Sequence, residues 1–214
     1  MFYIANPSNA LRFGDIVRGF VSATPNMMHP NISGLPEKSA FSLDVSHSPF
    51  SVILSPCCSI GNKVISLAPL IRIQPSFLSN PYFSEDMTHI NRKMYPEKTL
   101  SNEIWSNLND LERQKRLAIG SAYTLLNYFI FAAHDLLPPY DLKRKGGEIV
   151  SVSDYMVDFG QTYQVKCDKV NTPIDAPIDA KYLELSVSTR RELREKIANY
   201  YIRTPQEDTE VLAV

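Results

Sequence analysis

Two adjacent cysteines, Cys57 and Cys58, sit inside an otherwise apolar stretch, FSVILSPCCSIGNKVISLAPL, that runs from Phe50 to Leu70. A cysteine acts as a nucleophile only as the thiolate, which needs a basic neighbour or a helix N-terminus to lower its pKa. Cys58 with His47 is the candidate catalytic pair; His29, His89 and His134 are scattered along the chain. Metal binding asks for about four ligands at short spacing. A Cys-Cys pair without a nearby histidine does not supply them, so neither a metal nor another cofactor is expected. The competing reading is structural. Pro56 breaks the donor pattern of a strand, Gly61-Asn62 accepts left-handed backbone, and the thiols fill the bend as small apolar groups.

A second set of candidates is basic. Lys143, Arg144 and Lys145 precede Gly146-Gly147, and Arg190 and Arg194 lie four apart near the C-terminus. These five are the candidate nucleic-acid contacts. The chain as a whole gives them no help: 22 Lys and Arg against 23 Asp and Glu leave a net charge of -1, with no global field towards a polyanion. Glu192 and Glu195 beside Arg190 and Arg194 also fit an ordinary solvated helix face with ion pairs. Phosphate-binding Gly-rich loops, Ser-His-Asp signatures and zinc-helix motifs do not occur.

The third set is aromatic. Tyr123, Tyr128, Phe129 and Phe131 fall within LAIGSAYTLLNYFIFAA, Leu117 to Ala133, which carries no charge. At 17 residues it is at the short edge of a bilayer span and contains Gly, Ser, Thr and Asn. The pattern therefore predicts a long apolar helix buried in a core, with no membrane span. Its surplus aromatic surface makes these four residues candidates for a partner interface. The three cysteines form no even framework, which points to a reducing, cytoplasmic setting, and MFYIANPSNALRFGD is not patterned as a signal peptide.

The elements that must position these residues divide by period. GDIVRGFV, FSVILS and NKVISLAPLIRI read as short strands, and ATPNMMHPNISGLPEKSA between the first two reads as a long surface loop. EIVSVSDYMVDFGQTYQVKC reads as further strand pairs with a turn at Phe159-Gly160-Gln161, and PIDAPIDA as an extended linker. Ile104, Trp105, Leu108 and Leu111 share one helix face, and Pro138-Pro139 ends the helical third. The closing helix is capped by Thr189 with Glu192, carries the stripe Leu193, Ile197, Tyr200 and Tyr201, and stops at Pro205. With 44% hydrophobic and 21% charged residues the chain is globular in composition. The fold expected is α+β: a small β-barrel elaborated by a long apolar helix and a C-terminal amphipathic helix. Residues 1–205 would form one elaborated domain, with barrel strands at about 14–73 and 148–167 and helices at about 100–137 and 186–203. Residues 206–214 would be a flexible acidic tail.

Over about residues 14–70 the order GDIV, FSVILS, VISLAPL resembles the MazF/PemK-like toxins, SH3-like barrels that cleave RNA. Ser48-Pro49-Phe50 stands where that family has Arg-Pro, and Ile71-Arg72-Ile73 where a polar Thr or Ser follows. The resemblance therefore implies the barrel and not the cleavage machinery. Nearly the whole chain is similar to a set of uncharacterised prokaryotic proteins with a "VVLSQ-x-CDI" turn. The matching residues are Gly14-Asp15-Ile16, Ser55 to Ile60, Val157-Asp158-Phe159, and Leu185-Ser186 through Leu193-Arg194 to Arg203-Thr204-Pro205. Cys58 falls on the motif cysteine and Ser59 replaces its Asp. That likeness implies a barrel elaborated by helices. The leading expectation for function is a non-enzymatic, barrel-based protein-interaction module in a bacterial or phage defence or toxin-type system, with a protein partner or a second copy. The alternatives are a cysteine-dependent enzyme or MazF-like ribonuclease, and a nucleic-acid-binding protein.

Overall fold

The computed structural model describes residues 1–8, 10–18, 21–27, 41–56, 64–78, 83, 86–92, 99–100, 107–118, 122–123, 127–144, 146–166 and 181–202. The chain is α+β, with mostly antiparallel sheets and few helices, and it divides into two compact units. One comprises Ile4–Leu70 with Thr162–Glu184, and the other Met1–Tyr3, Ile71–Gln161 and Leu185–Val214.

The first unit is built on the apolar runs around the cysteines. β1 (Ile16–Val17), β4 (Ser51–Ile53) and β5 (Val64–Pro69) lie side by side, flanked by β13 (Tyr163–Lys166) and β14 (Lys181–Leu183) in the order β13-β5-β4-β1-β14. All the pairings are antiparallel; β4 meets β5 through Ser51↔Pro69, Val52↔Ala68 and Ile53↔Leu67. Every residue of β1 and β4 is buried. That accounts for their near-continuous apolar sequence, since a strand covered on both faces has no reason to alternate. Leu11, Val17, Ile53, Ile65 and Leu67 form the core cluster, with Tyr163 and Val165 packed against it. Gly14 enters β1 with φ 87, a conformation that a side chain resists, and its N–H donates to the Ile53 carbonyl.

The closed SH3-like barrel expected from the sequence is not formed by the described residues. The five-stranded sheet is open, with β13 and β14 at its edges. β1 contributes two residues and β14 three, too short a ladder to carry the tilt and stagger that closure requires. The strands at 149–158 also belong elsewhere, in separate sheets of the second unit. A two-stranded antiparallel ribbon completes the first unit: β2 (Val21–Met27) with β3 (Phe41–His47). Val21 to Met27 therefore form a strand, where the sequence suggests a loop from Ala23 onwards.

In the second unit, β6 (Ile71–Arg72), β12 (Tyr155–Asp158) and β9 (Tyr128–Phe131) form a three-stranded sheet. β10 (Tyr140–Lys143) and β11 (Ile149–Val152) form a hairpin, and β7 (Thr99–Leu100) pairs in parallel with β8 (Ala122–Tyr123). The long apolar helix is the main correction. Helix α2 (Asp110–Ala118) follows a one-turn α1 (Pro75–Leu78) and ends early in the apolar segment; Tyr128 to Phe131 are a strand in register with β12. An unbroken apolar run carries no period, so aromatic and β-branched content decides, and Tyr-Phe-Ile-Phe favours β. Leu111 is 62% exposed on α2, so it does not lie on a buried face. No helix among the described residues is long and apolar enough to cross a membrane.

Phe129 and Phe131 are fully buried, 5.4 Å apart between ring centroids, with Phe2 edge-on to Phe131 at 6.2 Å. Asn91, at the end of a 3-10 helix (Met87–Asn91), lies against β9: its Nδ2 donates to the Ile130 carbonyl at 2.7 Å and its Oδ1 accepts from the Ile130 N–H at 2.6 Å. β9 is an edge strand of its sheet, and the side-chain amide satisfies it as a further strand would. Helix α3 (Val187–Ile202) closes the described chain, with Leu193 buried. Its first turn is capped by Ser186, whose Oγ accepts from the Thr189 N–H at 3.3 Å, three residues earlier than the Thr189–Glu192 box suggests.

Candidate functional site

In the β2–β3 ribbon the pairs Val21–His47, Ala23–Val45, Pro25–Leu43 and Met27–Phe41 alternate with Ser22–Ser46, Thr24–Asp44 and Asn26–Ser42. Directly opposed residues share a face and successive ones change face. In β3, Leu43 and Val45 therefore share one face and Asp44 takes the other. A seven-residue ribbon of this kind is ordinarily laid with its apolar face on a core. Here Leu43 is 67% and Val45 58% exposed, and Asp44 between them is exposed too. Both faces of the middle of β3 are open to water. Among the described residues β2 and β3 pair only with each other. Pro25, which cannot donate to a ladder, is tolerated in such a strand.

The first unit also holds a buried ionic cluster. Lys181 on β14 places Nζ 2.9 Å from Asp15 Oδ2, 2.8 Å from Glu184 Oε2 and 2.8 Å from the Ala10 carbonyl. Ser8 donates to Glu184 through both its N–H and its hydroxyl, and the Arg12 N–H donates to Asp15. Burial pushes the Asp15 carboxyl up to about 6, while the Lys181 ammonium and the Arg12 N–H hold it from rising further. Arg12, half exposed, reaches Glu184 at 3.8 Å. Asp15, Glu184 and Lys181 are closed to solvent, so they tie the N-terminal segment to β1 and β14 and offer nothing to a substrate.

In the second unit two carboxylates are pushed in opposite directions. Burial raises Asp154, the Ala133 N–H opposes, and the charge of Asp86 adds to the rise. Burial also pushes Asp86 up, but the N–H and hydroxyl of Thr88, with His89 and Arg92, bring it below the usual carboxylate range. Such divergence is the electrostatic pattern of an acid–base pair. Asp86, however, is occupied as the cap of the 3-10 helix, and Asp154 by the Ala133 N–H at 3.1 Å. Lys196 of α3 is buried and donates from Nζ to the Ile90 carbonyl; burial lowers it to about 7. No group of three or more His, Cys, Asp or Glu is placed to hold a metal among the described residues.

The candidates read from the sequence do not converge. Cys57, Cys58, Cys167, Lys145 and the tail at 206–214 lie outside the described residues, as do His29, Trp105 and the PIDAPIDA segment. His47 is the last residue of β3, opposite Val21. Lys143 ends β10, exposed; Arg144 follows it and pairs with Glu148 at 3.1 Å. Arg190 is turned inward, 8% exposed, donating from Nη2 to the Leu185 carbonyl, whereas Arg194 is exposed. Tyr123 lies in β8 and Tyr128 is half-buried. Phe129 and Phe131 are corrected from interface to interior: the chain itself covers them completely. The ribbon is what sequence reading missed, and its signal was present in the period-2 runs VSATPNM and FSLDVSH.

Comparison with known proteins finds no matching family model, no matching curated protein and no matching solved structure. The functional reading therefore rests on the chain's own geometry.

Proposed function

We propose that this chain is a non-enzymatic protein-interaction module and that the β2–β3 ribbon is its docking surface. The observation that carries this is the exposure of Leu43 and Val45 on one face of β3. An isolated two-stranded hairpin is marginal in water, and exposed apolar residues on such a strand are the kind of surface that another polypeptide covers. The nearly balanced charge favours a protein partner over a polyanion. The nucleic-acid reading has less support, because Arg190 spends its guanidinium inside the chain.

The test is site-specific photo-crosslinking. A photoreactive amino acid replaces Val45, with Leu111 and Ile149, comparably exposed, as controls. A discrete polypeptide adduct from position 45, absent at 111 and 149, is expected. Equal labelling at all three, or none at 45, would refute the reading.

A further inference from the structure

We infer that the last two turns of helix α3, Lys196 to Ile202, are a pH-sensitive latch on the 3-10 helix Met87–Asn91, closed in alkaline solution and loosened as the pH falls to neutral.

The latch lies on the inner face of the helix. The buried residues of α3 are Thr189, Arg190, Leu193 and Lys196, at the spacing of one helical stripe. The first three hold the front of the helix: Leu193 is fully buried, Arg190 donates from Nη2 to the Leu185 carbonyl, and the Thr189 hydroxyl meets Ser186 Oγ at 3.0 Å. The last buried position, where a core residue is ordinarily apolar, holds an amine that is 7% exposed. Its Nζ donates to the Ile90 carbonyl, near the C-terminal end of the 3-10 helix. Beyond it Tyr200 sets its ring 5.8 Å from that of Phe159, and Tyr201 and Ile202 are 62% and 74% exposed. The end of the helix can therefore lift while Leu193 stays in place.

Ionisation sets the sense of the motion. Closing the latch takes the Lys196 amine out of water, and a carbonyl is a neutral partner that does not offset a full charge. The charged groups on the neighbouring elements are engaged or face solvent. On the 3-10 helix, Asp86 accepts from the Thr88 N–H and lies 3.8 Å from His89 and 3.6 Å from Arg92. Ahead of Phe159, Asp158 accepts from the Gly160 N–H, and on α3 itself Arg191, Glu192, Arg194 and Glu195 are exposed. Among the described residues burial is the one cause acting on Lys196, and it lowers the amine to about 7 from its ordinary 10.5.

Once the helix end lifts, the amine returns to its ordinary value. Between the two values the open form therefore holds the extra proton. The closed form is favoured in full above 10.5 and loses about tenfold per pH unit down to 7. Below 7 the balance is level, because both forms are protonated.

Hydrogen exchange of the full chain, read by mass spectrometry and divided by the intrinsic rate at each pH, tests this at about pH 7 and about pH 9. In wild type the amides of 197–202 are expected to gain ~100-fold in protection over those two units, while β12 keeps the same protection at both. Lys196→Met has no charge to bury. It is expected to be protected alike at both, at least as well as wild type at the higher pH. Lys196→Arg is charged at both, and is expected to be no better protected at either than wild type at the lower pH. Wild-type protection that does not change with pH overturns the inference. A change that persists in Lys196→Met overturns it by placing the titrating group elsewhere, and an equal change in β12 overturns it by showing global unfolding. An arginine variant as well protected as the methionine one shows that charge does not control the helix end, and overturns it too.

Discussion

Nζ of Lys181 lies 2.9 Å from Oδ2 of Asp15, with the lysine side chain 5% and the aspartate 0% exposed. The same ammonium serves Glu184 at 2.8 Å. Removing it leaves two buried carboxylates facing each other, a loss of about 3–5 kcal/mol for breaking a buried pair from one side. Lys181→Met is therefore expected to lower the urea midpoint sharply, and Asp15→Asn added to it to recover part of the loss. A Lys181→Met protein as stable as wild type would show that the cluster holds nothing together.

Stability should vary with pH in two windows. The folded Asp15 carboxyl titrates near 6, above its ordinary 3.8, so the folded state holds the extra proton between those values. The stability this contributes is full below about 3.8 and lost as pH rises through 6. Lys196 behaves in the opposite sense. Its folded pKa near 7 lies below the ordinary 10.5, so between them the unfolded chain holds the extra proton and stability rises with pH. Denaturant midpoints measured from pH 6 to 10 are expected to climb, and Lys196→Met to flatten that climb. A wild-type profile flat over this range would contradict the burial of the amine.

Asn91 offers a third test. Its amide pairs with both the N–H and the C=O of Ile130, in a position only 6% exposed. Asn91→Ala strands both groups and is expected to cost about 2–4 kcal/mol by chemical denaturation. Asn91→Asp keeps the acceptor but sets a carboxylate oxygen against the Ile130 carbonyl, so it should not rescue. Rapid amide exchange at Ile130 in Asn91→Ala, against protection in wild type, would locate the damage.

How much was legible in the sequence differs element by element. β4 and β5 could be read directly, because apolar runs on either side of a Pro-containing bend have few uses other than buried strands. Helix α3 was legible as a helix, but its cap is Ser186 rather than Thr189, and of its apolar stripe Leu193 is buried while Tyr201 is 62% exposed. Tyr128 to Phe131 misled, because a run apolar at every position has no period and its partner, Val157 with its neighbours on β12, lies far along the chain. The ribbon was hidden by Pro25 and Asn26, turn-forming residues whose local meaning an alternating pattern outweighs once a second strand pairs with it. The buried cluster gave no signal at all: Asp15 and Lys181 are 166 positions apart, and nothing local says that they meet.

The order of residues by itself determined which segments had to leave water, that a helix lies near the C-terminal end of the given sequence, and that no strong overall charge draws the chain to a polyanion. These follow from side-chain chemistry and short-range geometry, which neighbours in sequence share. Only the tertiary structure decided that the aromatic segment is a strand, that Arg190 faces inward, and that Leu43 and Val45 remain uncovered. Burial is a property of what packs on a residue from elsewhere in the chain, and so is the difference between an apolar residue that joins a core and one left exposed.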